Sequence, residues 1–156
     1  MTLAADGTNS ISYAPSSIPN ERFHVMPREM PVSMIKDILL GFNVSAQNLR
    51  RAGLDGIEIV GLHGYLLGQF LNPYINQRRD AYGGSRKNRM RFLNETIQAV
   101  RRGAGENMIL GLRLSGDEHD YQGTDLGEML KVCIALESES CLDYLSVTAG
   151  TSARLN

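Results

Sequence analysis

Residues Gly56–Phe92 read GIEIVGLHGYLLGQFLNPYINQRRDAYGGSRKNRMRF. A short apolar run, Gly56 to Val60, predicts a buried strand. It leads directly into His63, Gly64 and Tyr65. Two side chains that can handle protons therefore follow the carboxyl end of a strand. In open α/β sheets ligands bind at that end, and in (β/α)8 barrels the chemistry sits there. A long polar loop follows, Asn76 to Ser85, crowded with Arg, Asp, Tyr and Gly.

Working outward, the pattern alternates. The spacing of Ile35, Ile38, Leu39, Phe42, Ala46 and Leu49 predicts a helix starting near Pro31 to Ser33 and ending near Gly53. A helical turn or tight loop is expected at Leu66 to Phe70. Ser85 is an N-cap candidate for the next helix, whose buried stripe is Met90, Leu93, Ile97 and Val100, and which Gly103 to Gly105 should stop. Met108 to Leu114 reads as a second strand covered on both faces, followed by a polar loop, Gly116 to Gly123. Asp125 and Glu128 form a capping box ahead of an apolar set, Leu126, Met129, Leu130, Cys133 and Leu136. Leu142 to Thr148 is a third strand. Helix, strand, helix, strand, helix, strand implies a parallel sheet with right-handed crossovers. Residues 1–31 show no sustained period and read as an extended leading segment, with residues 32–156 as the α/β domain.

Composition narrows the function classes. Sixteen Lys plus Arg against seventeen Asp plus Glu leave no basic excess for nucleic acid or an anionic membrane surface. No apolar run approaches the ~18 residues that read as a membrane span. The start, MTLAADGTNSIS, has neither the basic nor the apolar region of a secretory signal, so a cytoplasmic location is expected. Cys133 and Cys141 have no zinc or redox spacing and read as two buried free thiols. The consecutive Asp117, Glu118, His119 and Asp120 lack ligand spacing and read as a solvated run rather than a metal site. His24 reads as a surface residue. Gly61, Gly64 and Gly68 do not form a dinucleotide fingerprint.

Glu58-Ile59 before His63-Gly64-Tyr65, then Gln69-Phe70-Leu71-Asn72-Pro73, Asn76, Arg78, Asp80, Tyr82-Gly83-Gly84-Ser85, Asn88-Arg89 and Arg91-Phe92 together resemble the Old Yellow Enzyme family of FMN-dependent NADH:flavin oxidoreductases. Within it they are most similar to the trimethylamine dehydrogenase side. The likeness extends more loosely from Ala14-Pro15-Ser16 to about Gly150. It implies a (β/α)8 barrel, which takes ~250 residues. A chain of 156 residues is then a partial (β/α)8 TIM barrel, with about three parallel strands and flanking helices. By the resemblance these match the fourth to sixth strands of the family barrel. Open strand edges would invite self-association.

The resemblance also implies roles. The residue matching His63 binds substrate above the flavin, and the one matching Tyr65 serves as a proton donor. A phenol with a reference pKa of ~10 suits that task. Arg113 ends the second strand. A cation inside an apolar run is costly unless paired. By resemblance it points at the flavin near N1 and the C2 oxygen, where negative charge collects on reduction. From the residues alone, His63 and Tyr65 read rather as a loop histidine and a tyrosine packed under the polar loop, and Arg113 equally as an ion pair with Glu58 or a loop carboxylate. Asn76 to Arg91 reads as architecture that pins the loop.

Val60 departs from the pattern. Ene-reductase relatives place a histidine there, and trimethylamine dehydrogenase a tyrosine. Valine donates nothing, so a carbonyl substrate would lose one of two orienting hydrogen bonds. This favours a parent that demethylates an N-methylated amine over an ene-reductase or dienoyl-CoA reductase. In either case the substrate is a small molecule. The family's phosphate grip comes from other strands. The chain alone is therefore expected to retain no FMN and to be inactive, in the limit a non-catalytic half-barrel.

Overall fold

The computed structural model describes residues 11–19, 26–62, 64–119, 123–139 and 141–149. In chain order these form β1 (Tyr13–Ala14), β2 (Arg28–Glu29), α1 (Val32–Arg51), β3 (Gly56–Gly61), α2 (Leu66–Leu71), α3 (Arg86–Arg89), α4 (Arg91–Ala104), β4 (Ile109–Asp117), α5 (Leu126–Glu139) and β5 (Tyr144–Ala149). The main sheet has the order β3-β4-β5 and is parallel throughout. It is the partial barrel expected, three strands with helices between them and no closure. The leading segment is less featureless than its composition suggests. Tyr13–Ala14 pairs with Arg28–Glu29 in a short parallel bridge.

Side-chain alternation along β4 shows which face the helices cover. Leu110, Leu112 and Leu114 are fully buried, whereas Ile109 and Arg113 are exposed. The buried leucines join Ile59, Phe92, Leu93, Ile97, Val100, Met129, Val132 and Leu136 in one core. Burying such side chains stabilises by about 1.5–3 kcal/mol each before the entropic cost of ordering them. The opposite face, which a closed barrel would turn inward, stays open.

Helix boundaries follow local chemistry. α1 ends on two arginines, Arg50 and Arg51, and cations suit a helix carboxyl end. Ser85 caps α3 as expected, its Oγ accepting from the Asn88 N–H at 3.3 Å. The helix expected there is in fact two, since Met90 separates α3 from α4. α4 ends at Ala104, within the expected stop from Gly103 to Gly105, and Gly103 has a packing role besides. It lies where α4 crosses α1, and a side chain there would strike the Asn43 carbonyl and Ala46. Gly105, at φ +76°, ends the helix in a conformation that favours glycine.

Three further expectations change. β4 runs on to Asp117, into the stretch expected to be loop. On α5, Met129, Val132 and Leu136 are buried, but Leu126, Leu130 and Ile134 are 62, 57 and 57% exposed. The helix is apolar on two sides, and only one faces the sheet. Cys141 is exposed rather than buried, because it lies in the surface link between α5 and β5, and Cys133 is half-buried. Among the described residues no helix is long and apolar enough to cross a membrane.

Candidate functional site

The polar loop after α2 is held by two arginines whose donors are consumed within the chain. Arg78 Nη1 donates to the carbonyls of Pro15 at 3.0 Å and Met30 at 2.6 Å. Its Nε and Nη2 donate to Asp80, with the shortest contact 2.6 Å. That pair holds the Asp80 carboxyl below its ordinary range, against the opposing cost of desolvation. Arg89 donates to the carbonyls of Leu71 at 2.9 Å and Gly84 at 2.5 Å, and to Glu128 at 2.6 Å. Asn76 donates to the carbonyls of Phe70 and Tyr82 at 2.7 and 2.8 Å. The Tyr82 phenol, pushed up to about 12 by desolvation and then by Glu95, donates to that carboxylate at 2.9 Å. This segment is architecture, as its composition suggested.

The capping box is only half made. The Glu128 N–H donates to Asp125 Oδ1 at 2.8 Å. The Glu128 carboxylate instead takes Arg86 and Arg89 at 3.0 and 2.6 Å, and the Arg86 hydrogen bond first among these contacts holds its pKa down. In the Asp117–Asp120 run, Glu118 is buried and accepts from Asn72 at 3.2 Å and from the Thr124 N–H at 2.7 Å. It pins the loop after β4, while exposed His119 turns to Asp117. Among the described residues no cluster could hold a metal.

The open face of the sheet is different. Register puts Glu58, Gly111 and Tyr144 in one row across the three strands, and Val60, Arg113 and Ser146 in the next row toward the carboxyl ends. Arg113 Nε contacts Glu58 Oε1 at 2.9 Å, and the Arg113 side chain remains 45% exposed. Tyr144 donates its hydroxyl to Glu58 Oε2 at 3.1 Å. The Tyr144 ring lies over Gly111, where no side chain could fit beneath it. Val60, 44% exposed, stands beside Arg113. The ion pair with Glu58 anticipated for Arg113 is present, its contact is at Nε, and the side chain keeps 45% of its surface exposed.

Tyr65 is 57% exposed at the start of α2. Its N–H donates to the Leu62 carbonyl at 3.1 Å and its carbonyl accepts from the Gln69 N–H at 2.9 Å, so backbone bonds set its position just past β3. His63 lies outside the described residues. The Tyr144 contact with Glu58 was not foreseen. The signal was available: Tyr144 falls in phase with Ser146 and Thr148 on a strand, and Glu58 interrupts an apolar run just as Arg113 does.

As a test of fit to a flavin, the open face offers one cationic fork, held from one side and exposed on the other. That suits the pyrimidine edge of an isoalloxazine. The described residues include no comparable group that would suit the phosphate.

Comparison with known proteins agrees. Residues 2–150 match the model of the NADH:flavin oxidoreductase / NADH oxidase family. An NADPH dehydrogenase of Clostridium acetobutylicum is 42% identical over 118 residues, covering 76% of this chain and 34% of its own length. An N,N-dimethylglycine/sarcosine dehydrogenase of Chromohalobacter salexigens is 37% identical over 106 residues, covering 68% of this chain and 15% of its own. Among solved structures, a 2-naphthoyl-CoA reductase superposes with a TM-score of 0.85 at 26% identity, over 92% of this chain and 23% of that one. The chain spans about a third or less of each of these relatives. With a family match across almost its whole length and three parallel strands of a barrel beneath its candidate residues, this chain belongs to the NADH:flavin oxidoreductase / NADH oxidase family, of the Old Yellow Enzyme type, whose cofactor is FMN.

Proposed function

We propose that this chain forms one wall of the FMN site of an oxidoreductase that moves hydride between the flavin and a small molecule. The observation that carries this is Arg113. Unlike Arg78 and Arg89, whose donors are taken up by backbone carbonyls and carboxylates, it stands half exposed on the open face of the central strand. A fixed cation there would steady negative charge on the reduced ring. FMN, when bound, supplies the hydride acceptor or donor. His63 and Tyr65, past the carboxyl end of β3, would face the substrate, with Tyr65 positioned to exchange a proton at its hydroxyl.

For the substrate we favour an N-methylated amine. Val60 offers no donor beside Arg113, so a carbonyl oxygen would be under-held, whereas an amine losing hydride from carbon needs no such clamp. The similarity to an N,N-dimethylglycine/sarcosine dehydrogenase supports this reading. The similarity to a 2-naphthoyl-CoA reductase supports a second one, reduction of an unsaturated substrate by an ene-reductase or dienoyl-CoA reductase parent. Turnover of a full-length homologue carrying this segment, on N-methylated amines and on enones, separates them, and faster enone reduction would overturn the first. The 156-residue chain by itself is expected to purify colourless. Flavin absorbance that survives desalting would show that this wall suffices to hold the cofactor.

A further inference from the structure

We infer that Glu58 is a positioning residue for Arg113, an assignment that rests on the flavin reading above. Its carboxylate is fixed at both oxygens by different strands, Oε1 by Arg113 on β4 and Oε2 by Tyr144 on β5. Tyr144 is itself fixed, since its ring covers Gly111, the residue directly between Glu58 and Tyr144 in the row. A carboxylate held twice has one orientation. The guanidinium that meets it at Nε is planar, so the contact restricts the orientations open to it.

Register gives that orientation a direction. Arg113 pairs with Val60, two residues further toward the carboxyl ends than Glu58. The arginine is therefore held from the row beneath, with its outer edge left toward the end of the sheet where family chemistry takes place. An arginine that met the flavin and an arginine that paired with Glu58 were alternative readings of the sequence. The geometry makes them compatible, because they use different edges of one fork. Desolvation and then the Glu58 contact hold the Tyr144 phenol above its ordinary range, so it stays a donor to the carboxylate.

The test is a double-mutant cycle in a full-length homologue carrying this segment, read as FMN affinity from quenching of flavin fluorescence. Glu58→Gln keeps the shape and removes the charge. It is expected to weaken FMN binding about tenfold, the scale of a coupling between contacting charged groups. In an Arg113→Lys background the same change should cost less than about twofold. Tyr144→Phe leaves both charges and removes one hold on the carboxylate. It should weaken FMN in the same direction by a smaller factor, and it guards against a fold defect in the Glu58 variant. The readout independent of flavin is exchange of the Arg113 Nε–H by nitrogen-15 NMR, slow in the wild type and faster in Glu58→Gln. Equal losses in both Arg113 backgrounds, or unchanged Nε–H exchange, overturn the role of Glu58. Failure of the unmutated homologue to bind FMN overturns the flavin assignment itself.

Discussion

The two arginines under the polar loop and the one on the open sheet face are the same residue type in opposite conditions. Arg78 and Arg89 are buried, and each meets backbone carbonyls from distant stretches of chain. Arg113 is half exposed and meets the Glu58 carboxylate at Nε. An arginine whose fork is used up by carbonyls holds a fold together. An arginine with an edge left over, at the functional end of a sheet, can serve a ligand. Burial and partner identity separate these roles, whereas charge and motif do not, since all three fall within family-like motifs.

The largest expected effect breaks the comparison at its structural end. Arg78→Ala should cost roughly 3–5 kcal/mol in urea denaturation, because two buried carbonyls and Asp80 lose their partner. Arg113→Ala should cost about 1 kcal/mol or less, as befits a half-exposed pair. Equal costs would erase the distinction. Next, Gly111→Ala should destabilise by about 1–3 kcal/mol through overpacking against the Tyr144 ring. In a Tyr144→Ala background that penalty should fall below about 0.5 kcal/mol. If it persists, the ring is not what requires glycine there.

A pH series sharpens the loop side. Asp80 and Glu128 have folded pKa values below their ordinary values of 3.8 and 4.5, held there first by hydrogen bonds from Arg78 and Arg86. Groups depressed in the folded state contribute stability that is present above their unfolded pKa and lost as pH falls through the folded one. Thermal midpoints should therefore decline below about pH 4.5, and Asp80→Asn should flatten part of that decline. A midpoint just as steep in the variant would remove Asp80 from the account. The smallest effect concerns α5. Leu130→Ser should alter stability by no more than about 0.5 kcal/mol, because the side chain is exposed. If the outer stripe drives self-association, the same change should lower the weight-average mass in sedimentation. An unchanged mass would direct attention to the open strand edges instead.

Much of this was legible in the chain. Apolar runs of strand length alternating with helical periodicity gave the β3, β4 and β5 regions and their connecting helices, because a parallel sheet writes its burial into hydrophobic spacing. Ser85 announced its cap. The α5 stripe was misread because Leu126, Leu130 and Cys133 have the right spacing for burial, and spacing alone does not say which of two apolar sides meets the sheet. The stop expected between Gly103 and Gly105 is where α4 ends, but the close approach of α1 that also requires Gly103 leaves no mark at short range. The family, too, was carried by the residues from Gly56 to Phe92.

What the sequence determined by itself was therefore the order of elements, the family, and the candidates Tyr65, His63 and Arg113. Only the tertiary structure decided that Glu58, Gly111 and Tyr144 form one row, that Glu58 takes Arg113 and Tyr144 on separate oxygens, and that Glu128 leaves its cap for two arginines. The side-chain contacts among these join residues 39 to 86 positions apart. Strand register and helix packing set such distances, and neither is encoded in the spacing of any local motif.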